Sequence, residues 1–469
     1  VNQRSKNAFD WTALRTSLWL AALFLFVYGG SNLLAARHAG VGSYYFAWER
    51  HIPFVPLMLL PYMSIDLFFL AAPFVCDARG RAVLARRVVA AILVSGAFFL
   101  LMPLRFAFDR PAVSGWLGAL FGGFRHLDRP FNQFPSLHIA LLIILAGVYG
   151  RCTRGAVRGF LAVWFVLIGL STVLTYQHHV IDVFGGAALG VLCVYFFPMN
   201  AAPPRAGGML NARVGAYYAV GAAMLSVAAV AWRPGGWLLL WPALSLAVLA
   251  AGYFGAGSWI YRKSGGRLSP GARIMLWPAL LGQRLSLIYY RRRSGAWDAM
   301  TDRLWIGRLL SGAEATAAVK AGVSTVVDLT GEFSEARAFR AAAYHSLPIL
   351  DLTAPSMELL DEAVRVIGRG VRRGIVYVHC KAGYSRTAAV VGAYLLASGA
   401  AVSAEQAMAM VRAARRGMVI RPEAAQAIWE YEARLGGDTV SACRETGDAA
   451  CSSMRWWLGC SPARWRPGR

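Results

Sequence analysis

A cysteine followed after five residues by an arginine stands out in "YVHCKAGYSRT", residues 377–387. Cys380 is a soft nucleophile and Arg386 a planar two-pronged donor, a pair suited to attack on phosphorus. A loop of this length can wrap an oxyanion with successive backbone N–H groups, and Gly383 permits its tight turn. A helix pattern starts near Arg386 and Thr387, so its positive end points at the same anion and favours a thiolate at Cys380. Lys381 adds a cation and Ser385 a hydroxyl to the candidate phosphate loop, and His379 precedes it. Attack by Cys380 would give a phosphocysteine that water then cleaves. The leaving oxygen needs a proton. Asp351 in "LPILDLTAPS" follows a strand-like run, precedes a helix pattern, and is the candidate general acid.

A second set of residues lies in an apolar part of the chain. His178 and Asp182 are four apart, so on a helix they share a face and the carboxylate can orient the imidazole. Ser136 and His138 open another apolar run, where helix N–H groups can receive an anion. Arg105, Arg110, Arg125 and Arg129 supply positive charge in the preceding loop. Two imidazoles, a carboxylate and arginines suit phosphoryl transfer, one His attacking and the other protonating the leaving group. A polar cluster at membrane depth is a functional site by default. His179 reads as an interfacial residue.

The elements that must position these groups are of two kinds. Hydrophobic residues make up 57% of the 469 and charged ones 15%, a balance foreign to soluble domains. Eight apolar runs approach the ~20 residues a bilayer crossing requires, near 13–35, 53–76, 84–104, 136–150, 157–176, 180–199, 214–232 and 236–260. The first has no small-residue cleavage site and reads as a span rather than a cleavable signal. Arginines follow the even-numbered runs, at Arg79, Arg81, Arg86 and Arg87, then Arg151, Arg154 and Arg158, then Arg205 and Arg213. Those exits are expected to be cytoplasmic, with both termini. The histidine cluster then faces outside and Cys380 the reducing compartment. The net charge of +24 is assigned to an anionic membrane face rather than to nucleic acid.

Residues 262–298 read as a basic connector with a helix lying on the membrane surface. Residues 299–436 alternate β-rich runs with helix patterns, the signal of one α/β domain. Residues 437–469 read as a disordered tail. The seven cysteines match no zinc or disulfide spacing, and all but Cys380 read as inert thiols. No metal or cofactor is expected.

On "HCxxGxxRT", the segment 299–436 resembles the dual-specificity branch of the protein tyrosine phosphatases, matching at His379, Cys380, Gly383, Arg386 and Thr387. The resemblance implies that Thr387 assists breakdown of the phosphocysteine, that His379 holds the loop, and that the acid occupies the position of Asp351. "HCKAG" is similar to phosphatases acting on lipid phosphates, including inositol lipids and phosphatidylglycerophosphate; phosphotyrosine or phosphoserine is the alternative. The apolar half, with its family core at about 50–200 of 1–261, resembles the type 2 phosphatidic acid phosphatase superfamily. Its Pro-Ser-x-His is matched at Pro135, Ser136 and His138, and its His-x-x-x-Asp at His178 and Asp182. The resemblance implies His178 as nucleophile and His138 as general acid. Ser171-Thr172 stands where the superfamily has Ser-Arg, and Arg110-Pro111 and Arg129-Pro130 both fit its first motif, with Arg105 as a substitute cation. "QHHVIDV" is also similar to the phosphotransferase branch that makes inositol-containing sphingolipids. Transfer to an alcohol is therefore an alternative to hydrolysis. A further one is a set of spans that only anchors a cytosolic protein phosphatase. The expectation is a bifunctional multi-domain phosphatase of the plasma membrane, bacterial inner membrane by type: an all-α polytopic bundle followed by a cytoplasmic α/β domain. Its partners are membrane lipids or a phosphoprotein, and no nucleic acid.

Overall fold

The computed structural model describes residues 9–37, 40–127, 131–200, 210–232 and 235–446. Arg129 and the tail beyond residue 446 lie outside them. The chain divides into two compact units, Val1–Met199 and Asn200–Arg469.

The first unit contains α1 (Trp11–Ala35), α2 (Pro56–Val75), α3 (Ala78–Leu101), α4 (Leu137–Cys152), α5 (Gly155–Leu174) and α6 (Val180–Phe196). The second begins with α7 (Ala212–Ala231) and α8 (Gly236–Tyr261). Six of these eight, all but α4 and α6, are long and apolar enough to cross a membrane. The chain is thus a multi-pass membrane protein by the length and composition of its helices. α4 and α6 have 16 and 17 residues, because each starts at a polar motif that caps it. Ser136 Oγ accepts from Ile139 N at 3.3 Å, and Asp182 accepts from His179 N at 2.8 Å.

α3 starts six residues earlier than the hydropathy suggests. Asp77 Oδ1 accepts from Gly80 N at 2.7 Å and caps the helix. Arg79, Arg81, Arg86 and Arg87 therefore lie on its first turns, not in a loop. Arg87 is buried and donates to Phe197 O at 2.9 Å. Ile92, Ile144, Leu145 and Ile168 lie at the centre of the bundle, while Phe26, Leu67, Leu101 and Phe160 are exposed around it. Apolar side chains inside and out are what lipid as solvent selects.

Small residues draw α4 and α6 together. A Cβ on Gly186 would meet Ser136 O at 2.2 Å, and one on Gly190 would meet Ala140 O at 2.9 Å. Two glycines four apart on one face permit this approach.

In the second unit, α8 contains a π turn over Gly252–Ala256, and Gly257 takes a left-handed φ of 58°. α9 (Trp277–Arg293) follows. The α/β part has strands β1 (Trp297–Thr301), β2 (Leu304–Arg308), β3 (Val323–Thr330), β4 (Ala343–Ile349) and β5 (Ile375–Cys380). They form one mixed sheet in the order β1-β2-β5-β3-β4, antiparallel only between β1 and β2. Helices α10 (Met357–Gly370), α11 (Ser385–Ala397), α12 (Ala404–Ala414) and α13 (Pro422–Thr446) pack with it, beside shorter helices over Gly312–Lys320 and Arg337–Ala341. β5, "IVYVHC", is buried from its second residue on, as a central parallel strand requires. It ends at Cys380, at the carboxyl edge where parallel sheets place their ligands.

The connector differs from a solvated basic segment. Arg262 and Lys263 are buried. Lys263 Nζ pairs with Asp328, and donates to Thr330 O at 2.7 Å. A charged side chain can leave water here because a carboxylate and a carbonyl replace its hydration.

Candidate active sites

The loop from Cys380 to Arg386 joins β5 to α11. Gly383 has φ 73°, and a Cβ there would lie 2.4 Å from Gly307 O, so the turn closes only without a side chain. The loop is fixed from outside as well. Leu309 N donates to Lys381 O at 3.2 Å, and buried Arg415 donates to Ala382 O at 3.2 Å.

Arg386 forms a two-point pair with buried Glu332, Nη2 to Oε1 at 2.7 Å and Nη1 to Oε2 at 3.1 Å. Its Nη1 also donates to Ile349 O at 3.0 Å. The guanidinium is therefore held in one orientation. Asp351 Oδ1 lies 3.4 Å from Arg386 Nη2, and its Oδ2 accepts from Lys381 Nζ at 2.7 Å. Thus Cys380, Arg386, Lys381 and Asp351 line one cavity of about 130 Å³, together with Tyr290 and Tyr384. Ser385 borders it too, but its hydroxyl donates to Val419 O at 2.9 Å. The Thr387 hydroxyl is buried with no hydrogen-bond partner among the described residues.

Burial opposes the charge on Asp351, but Arg386 and then Lys381 outweigh it and lower its pKa to about 2. His379 is fully buried, 2.9 Å from Glu335 Oε2 and 3.9 Å from Asp328 Oδ1. Burial disfavours the imidazolium, yet Glu335 and Asp328 prevail and raise its pKa. Asp328, Glu335 and His379 converge within 4.8 Å, a grouping that could hold a metal. The Lys263 ammonium already serves as the internal cation of this cluster.

In the first unit, Ser136 N donates to Asp182 O at 3.0 Å, which ties the start of α4 to the start of α6. His138 stacks on Tyr62 with centroids 4.2 Å apart. His178 Nδ1 lies 3.8 Å from Asp182 Oδ2. His138 Nε2 and His178 Nδ1 are buried with no hydrogen-bond partner among the described residues.

The neighbouring His179, expected at the lipid–water boundary, is enclosed by protein. It is buried against Phe106 at 4.2 Å, and both ring nitrogens are engaged. Its Nε2 accepts from Ala107 N at 3.1 Å, which leaves Nδ1 to donate to Glu49 Oε2 at 3.0 Å. A neutral imidazole committed at both ends cannot act as nucleophile or acid. Arg110 Nε donates to Tyr176 O at 2.9 Å, and Arg105 is exposed. Glu49, Tyr62, Glu332, Glu335 and Arg415 carry no local signal in the sequence, since each meets its partner only through the fold.

A family model described as "Dual specificity phosphatase, catalytic domain" matches residues 308–434, and one described as "PAP2 superfamily" matches residues 50–196. The chain is similar to the tyrosine-protein phosphatase CDC14 homolog of Schizosaccharomyces pombe, 30% identical over 103 residues, which is 22% of this chain and 19% of that protein. It is also similar to tyrosine-protein phosphatase cdcA of Emericella nidulans, 32% identical over 106 residues, 22% and 18% respectively. The chain thus spans under a fifth of the length of these relatives. Among solved structures, Tk-PTP in the active form is 29% identical, with 30% of this chain and 97% of that one covered and a TM-score of 0.28. PTPMT1 is 22% identical, with 31% and 99% covered and a TM-score of 0.28. Residues 50–196 are a PAP2 superfamily domain and residues 308–434 a dual-specificity phosphatase catalytic domain, joined in one polypeptide.

Proposed function

We propose that the chain is a membrane enzyme with two phosphoryl-transfer sites. At the first, His178 attacks the phosphorus of a lipid phosphate and His138 protonates the leaving oxygen. At the second, Cys380 Sγ attacks a phosphate monoester held by Arg386, Lys381 and the loop N–H groups. Asp351 gives its proton to the departing oxygen as the S–P bond forms. Water then attacks phosphorus and Asp351 takes its proton. Inorganic phosphate leaves and the thiolate is restored, with Thr387 assisting that departure.

The observation that carries this reading is the convergence of Cys380, Arg386, Lys381 and Asp351 on one cavity. The reading extends to a lipid phosphate at the thiol site. Trp277, Leu281, Leu285 and Ile288 recur at helical spacing on α9 and are exposed, an apolar stripe suited to a bilayer surface. On the opposite face of α9, Gln283 accepts from Lys381 Nζ at 3.0 Å and Tyr290 lines the cavity. We also assign the two sites to opposite sides of the membrane, on the arginine placement, with the thiol site cytoplasmic.

The test is hydrolysis of p-nitrophenyl phosphate by the purified full-length protein. Cys380→Ser should abolish most of it, by about 10³-fold or more. Unchanged hydrolysis would remove the assignment of Cys380.

A further inference from the structure

The loop that carries Asp351 is bonded through its backbone to the last membrane hairpin. Asn211, which caps α7, donates from Nδ2 to Leu352 O at 3.0 Å. Tyr253, in the π turn of α8, donates from Oη to Asp351 O at 2.8 Å. Ser258, just beyond that turn, donates to Pro348 O at 2.8 Å. Leu352 itself takes a left-handed φ of 60°, a conformation that a side chain of its size rarely adopts without support. Tyr253 is held in turn by stacking on Tyr218 of α7, centroids 5.6 Å apart. The exit of the hairpin also touches the loop of the Arg386 partner: a Cβ on Gly331, next to Glu332, would meet the Tyr261 ring at 2.6 Å.

We propose that this hairpin is part of the thiol site, and that Asn211 and Tyr253 are positioning residues that aim Asp351 at the leaving oxygen. The proposal rests on the reading of Asp351 as the general acid. Three donors fix three carbonyls on and around Asp351, so the carboxylate is directed by the membrane segment and not by the catalytic domain alone. A π turn that leaves one side chain out of helical register suits that task.

Proton donation matters only when the leaving group is basic, which gives a selective readout. The experiment uses the full-length protein in a His178→Ala background, so that the thiol site alone is measured. It compares kcat/KM, which reports formation of the phosphocysteine and not its later hydrolysis, on phenyl phosphate, whose leaving group needs a proton, and on 2,4-dinitrophenyl phosphate, whose leaving group departs as an anion. Tyr253→Phe retains the stacked ring and removes only the donor. Tyr253→Phe and Asn211→Ala should each lower kcat/KM about tenfold on phenyl phosphate and less than about twofold on the dinitrophenyl ester. Asp351→Asn should show the same selectivity, more strongly. If Asp351→Asn is selective while the hairpin variants affect both esters equally, or neither, the proposal is overturned and the acid assignment stands. If Asp351→Asn is itself unselective, both fall.

Discussion

Lys381 Nζ stands 2.7 Å from Asp351 Oδ2, so the cation of the Cys380–Arg386 loop and the carboxylate proposed as the acid are bound to each other across the cavity. Arg386 stands 3.4 Å from the other carboxylate oxygen. In the proposed reaction a phosphate dianion competes with Asp351 for both cations. As it draws them away, the carboxyl gains proton affinity, so that binding itself prepares the acid.

Replacement of Lys381 by Met tests this coupling. Burial opposes the Asp351 charge and Arg386 and Lys381 sustain it, with the pKa at about 2. Loss of one cation raises that pKa. Because the reaction needs the protonated acid, the alkaline limb of the kcat/KM profile, which reports the free enzyme, should move to higher pH. KM for a dianionic ester should rise about tenfold, as expected for one lost charge-assisted bond. An unmoved alkaline limb would contradict the coupling.

The His379–Glu335 pair predicts a pH-dependent stability. Burial disfavours the imidazolium but Glu335 and Asp328 raise its pKa above the ordinary value of about 6.5. The stability this contributes is fully present below about pH 6.5 and is lost as pH rises through the raised value. Glu335→Gln should therefore lower the thermal midpoint most at about pH 6, with the gap to wild type narrowing in alkali. A gap that widens with pH would refute the sign.

Thr387→Ala concerns the second half of the thiol reaction. The buried hydroxyl has no hydrogen-bond partner among the described residues and sits one residue after Arg386. If it assists phosphocysteine breakdown, the variant should give a stoichiometric burst of the alcohol product followed by turnover at least about tenfold slower. A slow reaction without a burst would assign Thr387 to the first step or to packing.

Glu49 closes the loop beside His178. It accepts from Phe46 N, His179 Nδ1 and Val180 N, at 2.9, 3.0 and 3.1 Å. Glu49→Leu removes the acceptor of all three and orphans the buried His179 Nδ1, at about 1–3 kcal/mol for that unsatisfied donor. The His178-dependent hydrolysis of phosphatidic acid in vesicles should fall with it, while Cys380-dependent hydrolysis of p-nitrophenyl phosphate is retained. Equal loss of both would show that the effect is on the whole protein.

The parts legible in the sequence were those set by local spacing. Apolar runs marked the eight helices α1–α8, though not the shorter helix Gly115–Leu127, and the Cys380 to Arg386 interval marked the loop after β5 and the helix behind it. The place of Asp351 at the cavity was legible from its position between strand and helix patterns. Helix ends were less so: Asp77 extends α3 over arginines that composition alone assigns to a loop. The partners that orient the reacting groups were not legible. Glu332 lies 54 residues from Arg386, Glu49 lies 130 from His179, and Lys263 lies 65 from Asp328. Such pairs follow from strand order and helix packing, for which no periodicity in one chain provides a signal. For the same reason Lys263 reads as one more basic connector residue, although it is the buried cation of the sheet.

The most direct test of two sites on one chain is phosphate release from phosphatidic acid vesicles and p-nitrophenyl phosphate by full-length protein. Wild type, His178→Ala, Cys380→Ser and the double variant are compared. Each single variant should keep a residual activity that the double variant lacks, with His178→Ala losing chiefly the lipid phosphate reaction and Cys380→Ser chiefly the aryl one. A Cys380→Ser protein as inactive on both substrates as the double variant would reduce the membrane helices to an anchor and contradict the account.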